Sequence, residues 1–388
     1  MTNRFTRATL LLAGLVFFTA CGRQEASAPA PADASGETPG AAAPGMPVGT
    51  TSKFSWYLER KTPAGQTTLV RTGDGRVTNE SFLHWNNREY DIDSVLQLDE
   101  DGYIVSQKIE GRSPFGSPID EMFSIEGGVA SWQTPGESGS KTIDEPAFYT
   151  PNESAAIGAF EALVRVAVKN LDNSVALLPT GSARVEKLTD VEVESPDGPV
   201  TLSLYAVSGI GFTPQYGWFD DDMKVTAYGG GWLGMLPEGW DSDILGTLDE
   251  VQTNESAKQI AKLAGDLANA AEGAVIFENV DVVDVVNQTL LEDRYVRVVG
   301  GKIDAVSSDA LDDDGATIID GSGRTLIPGL WDMHGHLSLS DGVLNMAGGI
   351  VNVRDIGNEH EQIMDVVAKF DSGEVIGPNV FRAGFMDR

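Results

Sequence analysis

The stretch "DGSGRTLIPGLWDMHGHLSLSD", residues 320–341, decides how the second half of this chain is read. Pro328-Gly329 punctuates it, and "LWDMHGHL" after the break is a short, mostly apolar run of the kind buried on both faces of a parallel sheet. His334 and His336 are two of only four histidines in the sequence. On a strand, residues two apart point to the same side, which sets their Cα atoms about 6–7 Å apart. Two neutral imidazoles so placed can converge on one divalent ion at about 2.0–2.1 Å, with Gly335 leaving room on the opposite face. Spacing alone equally describes two chance surface or core histidines, and a bare H-x-H favours that reading.

Upstream, from Gly273, "AVIFENVDVVDVVNQTLLEDRYVRVVGGKIDAV" reads as strands, with Gly300-Gly301 forming a tight hairpin between "YVRVV" and "KIDAV". Downstream, "SLSDGVLNMA" suits a first crossover and "IVNVRDI" a buried strand. "EHEQIMDVVAKFDSG" suits an amphipathic helix with Ile363, Val366, Val367 and Phe370 inward, and "NVFRAGF" the next strand.

The string from "GGKI" through "IIDGSGRTLIPGLWDMHGHL", continuing into "GGIVNVRDIGN" and "GEVIGPNVFRAGFMD", resembles the amidohydrolase superfamily, in particular its imidazolonepropionase-like and Xaa-Pro dipeptidase-like members. The resemblance implies a small β-sandwich leading into a (β/α)8 barrel over residues 273–388, with His334 and His336 as metal ligands at the end of the first barrel strand. It further implies a divalent metal, zinc by preference, and hydrolysis of a carbon–nitrogen bond in an amide, cyclic amide or dipeptide. Arg354 and Asp355 fall at the end of the second barrel strand, where they either orient substrate and ligands or form an internal ion pair at the rim. His360, at the start of a helix, reads as solvent-facing. A barrel of this type takes about 250 residues, far more than follow His336. The expectation is therefore an incomplete barrel that lacks its remaining ligands and general base, is inactive by itself, and exposes an edge prone to aggregation. The alternative is a membrane-anchored lipoprotein whose β-rich domain binds a ligand or partner, with a non-catalytic barrel remnant.

At the other end, Arg4 and Arg7, the apolar run "ATLLLAGLVFF" and "FTACG" read as an export signal over residues 1–21, too short to span a bilayer comfortably. The segment resembles a bacterial lipobox in which Cys21 is lipidated, which implies a periplasmic or outer-membrane location. Residues 22–52, rich in Ala, Pro and Gly, read as a disordered tether. The net charge of −31 argues against nucleic acid or an anionic membrane surface as a partner. A small-molecule or dipeptide substrate fits better.

Residues 53–272 alternate short apolar segments with turn signals, including Asp74-Gly75 and Asp101-Gly102, and predict an antiparallel meander. Helices are predicted at 152–171, with Ile157, Phe160, Val164, Ala167, Val168 and Leu171 on one face and Asn152 or Ser154 as cap, and at 254–272. The aromatics around "PQYGWFDDD" and "GGGWLGMLPEGW" read as core or rim packing before a ligand groove. His84 reads as a hydrogen-bonded structural histidine. Asp220 to Asp222 reads as a solvated turn before a calcium site.

Overall fold

The computed structural model describes residues 49–151, 156–268, 273–312, 314–358 and 360–383. Cys21, residues 22–48 of the tether and the candidate caps Asn152 and Ser154 lie outside them, while residues 50–52, expected in the tether, belong to the first strand.

Fifteen strands form one sheet. The first eight are β1 (Thr50–Leu58), β2 (Thr62–Arg71), β3 (Arg76–Trp85), β4 (Arg88–Leu98), β5 (Ile104–Arg112), β6 (Pro118–Glu126), β7 (Val129–Gln133) and β8 (Ser138–Thr142). They make the expected antiparallel meander, because strict alternation of apolar and polar residues gives each strand one face to bury. The turns have a local cause: the Asp99 carboxylate accepts the backbone N–H groups of Asp101, Gly102 and Tyr103 at 3.0, 2.8 and 2.8 Å. After β9 (Phe148–Tyr149) and α1 (Ile157–Ala167) come β10 (Ser174–Leu178), β11 (Ser182–Ser195), β12 (Gly198–Ser208), β13 (Gln215–Phe219), β14 (Val225–Gly230) and β15 (Leu233–Pro237). Strand β15 then pairs with β1, joining the two halves into one sheet.

Helix α1 differs from its sequence pattern. All eleven of its residues are buried, where one apolar face was expected. The sheet supplies the reason by presenting both halves to the helix. Gly158 abuts Leu69, Val77 and Leu96, while Phe160 meets Phe219 and Tyr228 with ring centroids 6.2 and 5.7 Å apart. The helix also stops at Ala167, so Leu171 is fully exposed rather than inward-facing. The second helix, α2 (Ile244–Leu267), starts ten residues before the predicted position. Its Leu245 and Leu248 join a core with Trp218 and Leu236, and its Ala257 and Ile260 pack against a second core that includes Val353 and Phe370.

The outer face of the meander carries Glu80, Asp93, Glu110 and Asp120 directly opposite one another across β3 to β6. Like charges placed so are unfavourable. Partial burial, together with the charges of Asp91, Glu80 and Glu110, holds the Asp93 carboxyl above its ordinary range. A raised folded-state value means that the native protein keeps this proton longer than the unfolded chain. This group's contribution to stability is thus fully present below the unfolded value and lost as pH rises through the folded one. Asp93→Asn is therefore expected to gain about 0.5 kcal/mol at neutral pH, and the gain should vanish at acid pH. Urea unfolding of both proteins across that range measures it, and a gain that does not change with pH would remove the ladder as its cause.

A five-stranded sheet follows, from β16 (Val275–Asp284), β17 (Thr289–Val299), β18 (Lys302–Ser307), β19 (Thr317–Asp320) and β20 (Thr325–Leu326). The β17–β18 hairpin turns at Gly300-Gly301 as expected, and β19 and β20 run parallel to β16. The described residues form a single sheet here rather than the two layers of a sandwich, so Ile303, Ile318 and Ile319 remain exposed.

The last unit is β21 (Leu330–Gly335), α3 (Asp341–Ala347), β22 (Ile350–Asp355), α4 (His360–Ser372) and β23 (Asn379–Arg382). Its three strands are parallel and adjacent in chain order. Ile363, Val366, Val367 and Phe370 of α4 are buried against Val353, as their spacing requires. Strand β21 corrects one expectation: Leu330, Trp331 and Met333 are exposed, not buried on both faces. Among the described residues β21 pairs only with β22, and nothing covers the face where Trp331 meets Phe381, 4.8 Å between ring centroids.

Candidate metal centre

His334 and His336 stand at the carboxyl end of β21, and both rings are exposed. Their centroids are 5.4 Å apart with planes inclined at 72°. The pairing of β21 with β22 slips between Asp332 and Gly335. The Asp332 carboxylate takes up the His334 N–H at 2.9 Å, so this amide is satisfied locally. Gly335 is buried, and a Cβ there would come within 2.6 Å of Val353 Cγ1. The glycine is thus required by close strand-to-strand packing, a stricter reason than room beside the imidazoles.

The 5.4 Å separation can be tested against a metal shell. An imidazole nitrogen about 2.05 Å from zinc places its ring centroid about 3.2 Å from the ion, and two such rings at a tetrahedral angle have centroids about 5.2 Å apart. The observed 5.4 Å is close to that distance. It does not complete the shell: among the described residues no group of three or more His, Cys, Asp or Glu side chains is placed to hold a metal.

Arg354 and Asp355 are adjacent in sequence but differ in burial. Asp355 is 1% exposed, and Arg354 is exposed on the opposite side of the strand. No ion pair joins them among the described residues, so the rim-pair reading does not hold. The Asp355 carboxylate instead accepts Leu337 N at 2.8 Å, Asn358 Nδ2 at 2.9 Å and Gly357 N at 3.3 Å. Asn358 Nδ2 also donates to Leu337 O at 3.0 Å, and His336 Nδ1 lies 2.6 Å from Gly357 O. Ile356 N donates to Gly335 O at 3.1 Å. The ends of β21 and β22 are therefore laced together around His336. Sequence reading passed over Asp332, Gly357 and Asn358. The signal for two of them was Gly357-Asn358 just past the strand that ends at Asp355, and for Asp332 a carboxylate two residues before His334.

Elsewhere, His360 is exposed at the start of α4 as expected. His84 is exposed on the outer face of β3 and makes no hydrogen bond among the described residues, contrary to the structural-histidine reading. The polar outer face of a strand gives its ring no buried partner. Asp220 Oδ1 accepts Asp222 N and Lys224 N at 3.0 and 2.8 Å, which makes the acidic run a turn. Of the grouped aromatics, Trp218 and Phe219 are wholly buried, while Trp232 sits edge-on to Trp85 at 5.7 Å. No described helix is long and apolar enough to cross a membrane.

No family model matches this chain, and no curated protein does. Several solved structures are similar to part of it. A putative prolidase from Bifidobacterium longum is 19% identical, with 30% of this chain and 31% of that chain covered and a TM-score of 0.27. An amidohydrolase is 25% identical over 29% and 31% of the two chains, TM-score 0.26. A Xaa-Pro dipeptidase with bound methionine is 19% identical over 29% and 33%, TM-score 0.25. The chain thus spans about a third of the length of each.

Proposed function

We propose that the unit from β21 to β23 is the opening part of a (β/α)8 barrel, and that His334 and His336 supply two ligands of a divalent ion, zinc by preference, in a hydrolase acting on carbon–nitrogen bonds. The observation that carries this reading is the 5.4 Å separation of two exposed imidazoles at the carboxyl end of a parallel strand, set in the motif "IPGLWDMHGHL". A bound ion of this kind polarises a carbonyl and lowers the pKa of its water toward about 7. The protein's own contribution is to hold the two rings on a strand end, where catalytic groups of such barrels sit. Two imidazoles alone bind weakly, so no catalytic step is assigned to them. Export and lipidation at Cys21 belong to the same proposal.

Zinc titration of protein carrying 15N-labelled histidine tests the site. The ring signals of His334 and His336 are expected to shift together at high zinc, with His84 and His360 unmoved, and dialysed protein should retain no stoichiometric zinc. The double variant His334→Ala/His336→Ala should show no response. A response at His84 or His360 alone, or undiminished hydrolysis of a carbon–nitrogen bond by the double variant, would refute the assignment.

A further inference from the structure

We infer that Asp355 and Asn358 are positioning residues that set the tautomer and orientation of His336; as a role toward a metal, this rests on the reading just proposed. A backbone carbonyl can only accept a hydrogen bond. The 2.6 Å contact between His336 Nδ1 and Gly357 O therefore requires the proton of the neutral ring to sit on Nδ1. Nε2 is then left with its lone pair free, which is the form a metal ligand needs. His336 is exposed. Burial of the ring does not impose this choice, so the position of the Gly357 carbonyl does.

That position is held from within. Asp355 is the buried hub: one carboxylate oxygen takes Leu337 N and Asn358 Nδ2, and the other takes Gly357 N. Asn358 closes the loop by spanning from Asp355 Oδ2 to Leu337 O. Leu337 directly follows His336, so both backbone groups beyond the histidine are tied to the segment that carries the Gly357 carbonyl. Ile356 N to Gly335 O ties the residue before it. The histidine is thereby fixed from both sides against its own acceptor. Among the described residues the His334 ring makes no hydrogen bond, and its backbone N–H goes to Asp332. The two imidazoles are therefore inequivalent: His336 is preset, whereas His334 is free to adjust to an ion.

The test is the 15N tautomer pattern of labelled histidine at alkaline pH, where imidazole is neutral, without metal, with His336 assigned by its loss in His336→Ala. In the unaltered protein His336 should be predominantly in the Nδ1–H form, and His334 in the Nε2–H form that an unconstrained histidine favours. Asn358→Ala and Asp355→Ala should each drop the Nδ1–H population of His336 below half. Arg354→Ala, next in sequence but outside the lacing, should leave it unchanged. Should Asp355→Ala fail to fold, Asn358→Ala and the unaltered protein still decide the matter. A predominantly Nε2–H His336 in the unaltered protein, or an Nδ1–H population untouched by Asn358→Ala, overturns the inference. Zinc added to the same samples separates the two claims. If the tautomer responds as expected but zinc moves neither ring, the positioning stands and the metal reading fails. If zinc moves both rings but the tautomer ignores Asn358→Ala, the metal reading stands and the positioning fails. With both correct, the zinc needed to half-shift the His336 signal rises about tenfold in Asn358→Ala.

Discussion

Replacing Glu161 by alanine is expected to lower the unfolding free energy by about 3–5 kcal/mol, measured by urea unfolding. Glu161 lies in α1, surrounded by the fifteen-stranded sheet, and is 1% exposed. Its carboxylate receives Arg71 Nε and Nη2 at 2.7 and 2.6 Å, a bidentate pair whose cationic partner is also 1% exposed. The same carboxylate accepts Val225 N at 2.8 Å, so it ties β2 to β14 through the helix. Arg165, 2% exposed on the next turn, donates to the carbonyls of Asp222 and Met223 at 2.7 Å each, and burial holds its guanidinium below its ordinary range. Loss of Glu161 would leave the buried Arg71 guanidinium without its ion-pair partner and one backbone donor, Val225 N, without an acceptor. Such a loss is a large part of the roughly 5–15 kcal/mol that stabilises a typical domain. The double variant Arg71→Met/Glu161→Leu is expected to cost less than the single one, because apolar packing replaces the pair and no charge at residue 71 remains stranded. A single-variant loss below about 1 kcal/mol would mean that water reaches this pair.

Phe370→Ala is expected to cost about 3–5 kcal/mol, and to unfold the β21–β23 unit before the large sheet. Phe370 is 8% exposed on α4. Its ring is packed so closely that a Cβ at Gly342 would fall 2.7 Å from it and one at Gly377 would fall 2.4 Å away. One ring therefore holds α4 against α3 and against the segment entering β23. The ring leaves no space for a methyl group at Gly377, and at Gly342 the ring and the Ile376 carbonyl, 2.2 Å from such a Cβ, exclude one together. Truncating the ring opens a cavity at the meeting point of three segments, and the remaining core of the unit is small: Leu337, Leu339, Val353, Ile363, Val366, Val367 and Val375. Hydrogen exchange should show early loss of protection over residues 330–383, while strands β2 to β5 stay protected. A single coincident transition across both regions would show instead that α2, through Ala257 and Ile260, couples them into one folding unit.

The candidate site was legible in sequence to the level of its two histidines and of Asp355 as a residue at the neighbouring strand end. The placement of the histidines on a strand end follows from a period of two and a Pro-Gly break, both local properties. The lacing that positions His336 joins Asp355 to Leu337, 18 residues away, across a pairing slip that the alternation of residues does not reveal. Asp355 was singled out by its place at a strand end, but its partner in sequence, Arg354, proved to lie on the other face. Adjacent residues of a strand diverge, which removes the ion pair that stood as one of the two alternatives for Arg354 and Asp355.

The sequence by itself determined the elements and their order: the meander with its Asp-Gly turns, the Gly300-Gly301 hairpin, the α4 stripe of Ile363, Val366, Val367 and Phe370, and the strand carrying His334 and His336. These follow from hydrophobic period and turn chemistry, which act over a few residues. Only the tertiary structure decided that β15 closes onto β1, that α1 is buried on every side, and that Arg71 meets Glu161 across 90 residues of chain. It also decided that β21 shows its apolar face to solvent and that Asn358 holds Leu337. Those outcomes depend on which distant surfaces meet, and a hydrophobic period says that a face must be covered without saying by what.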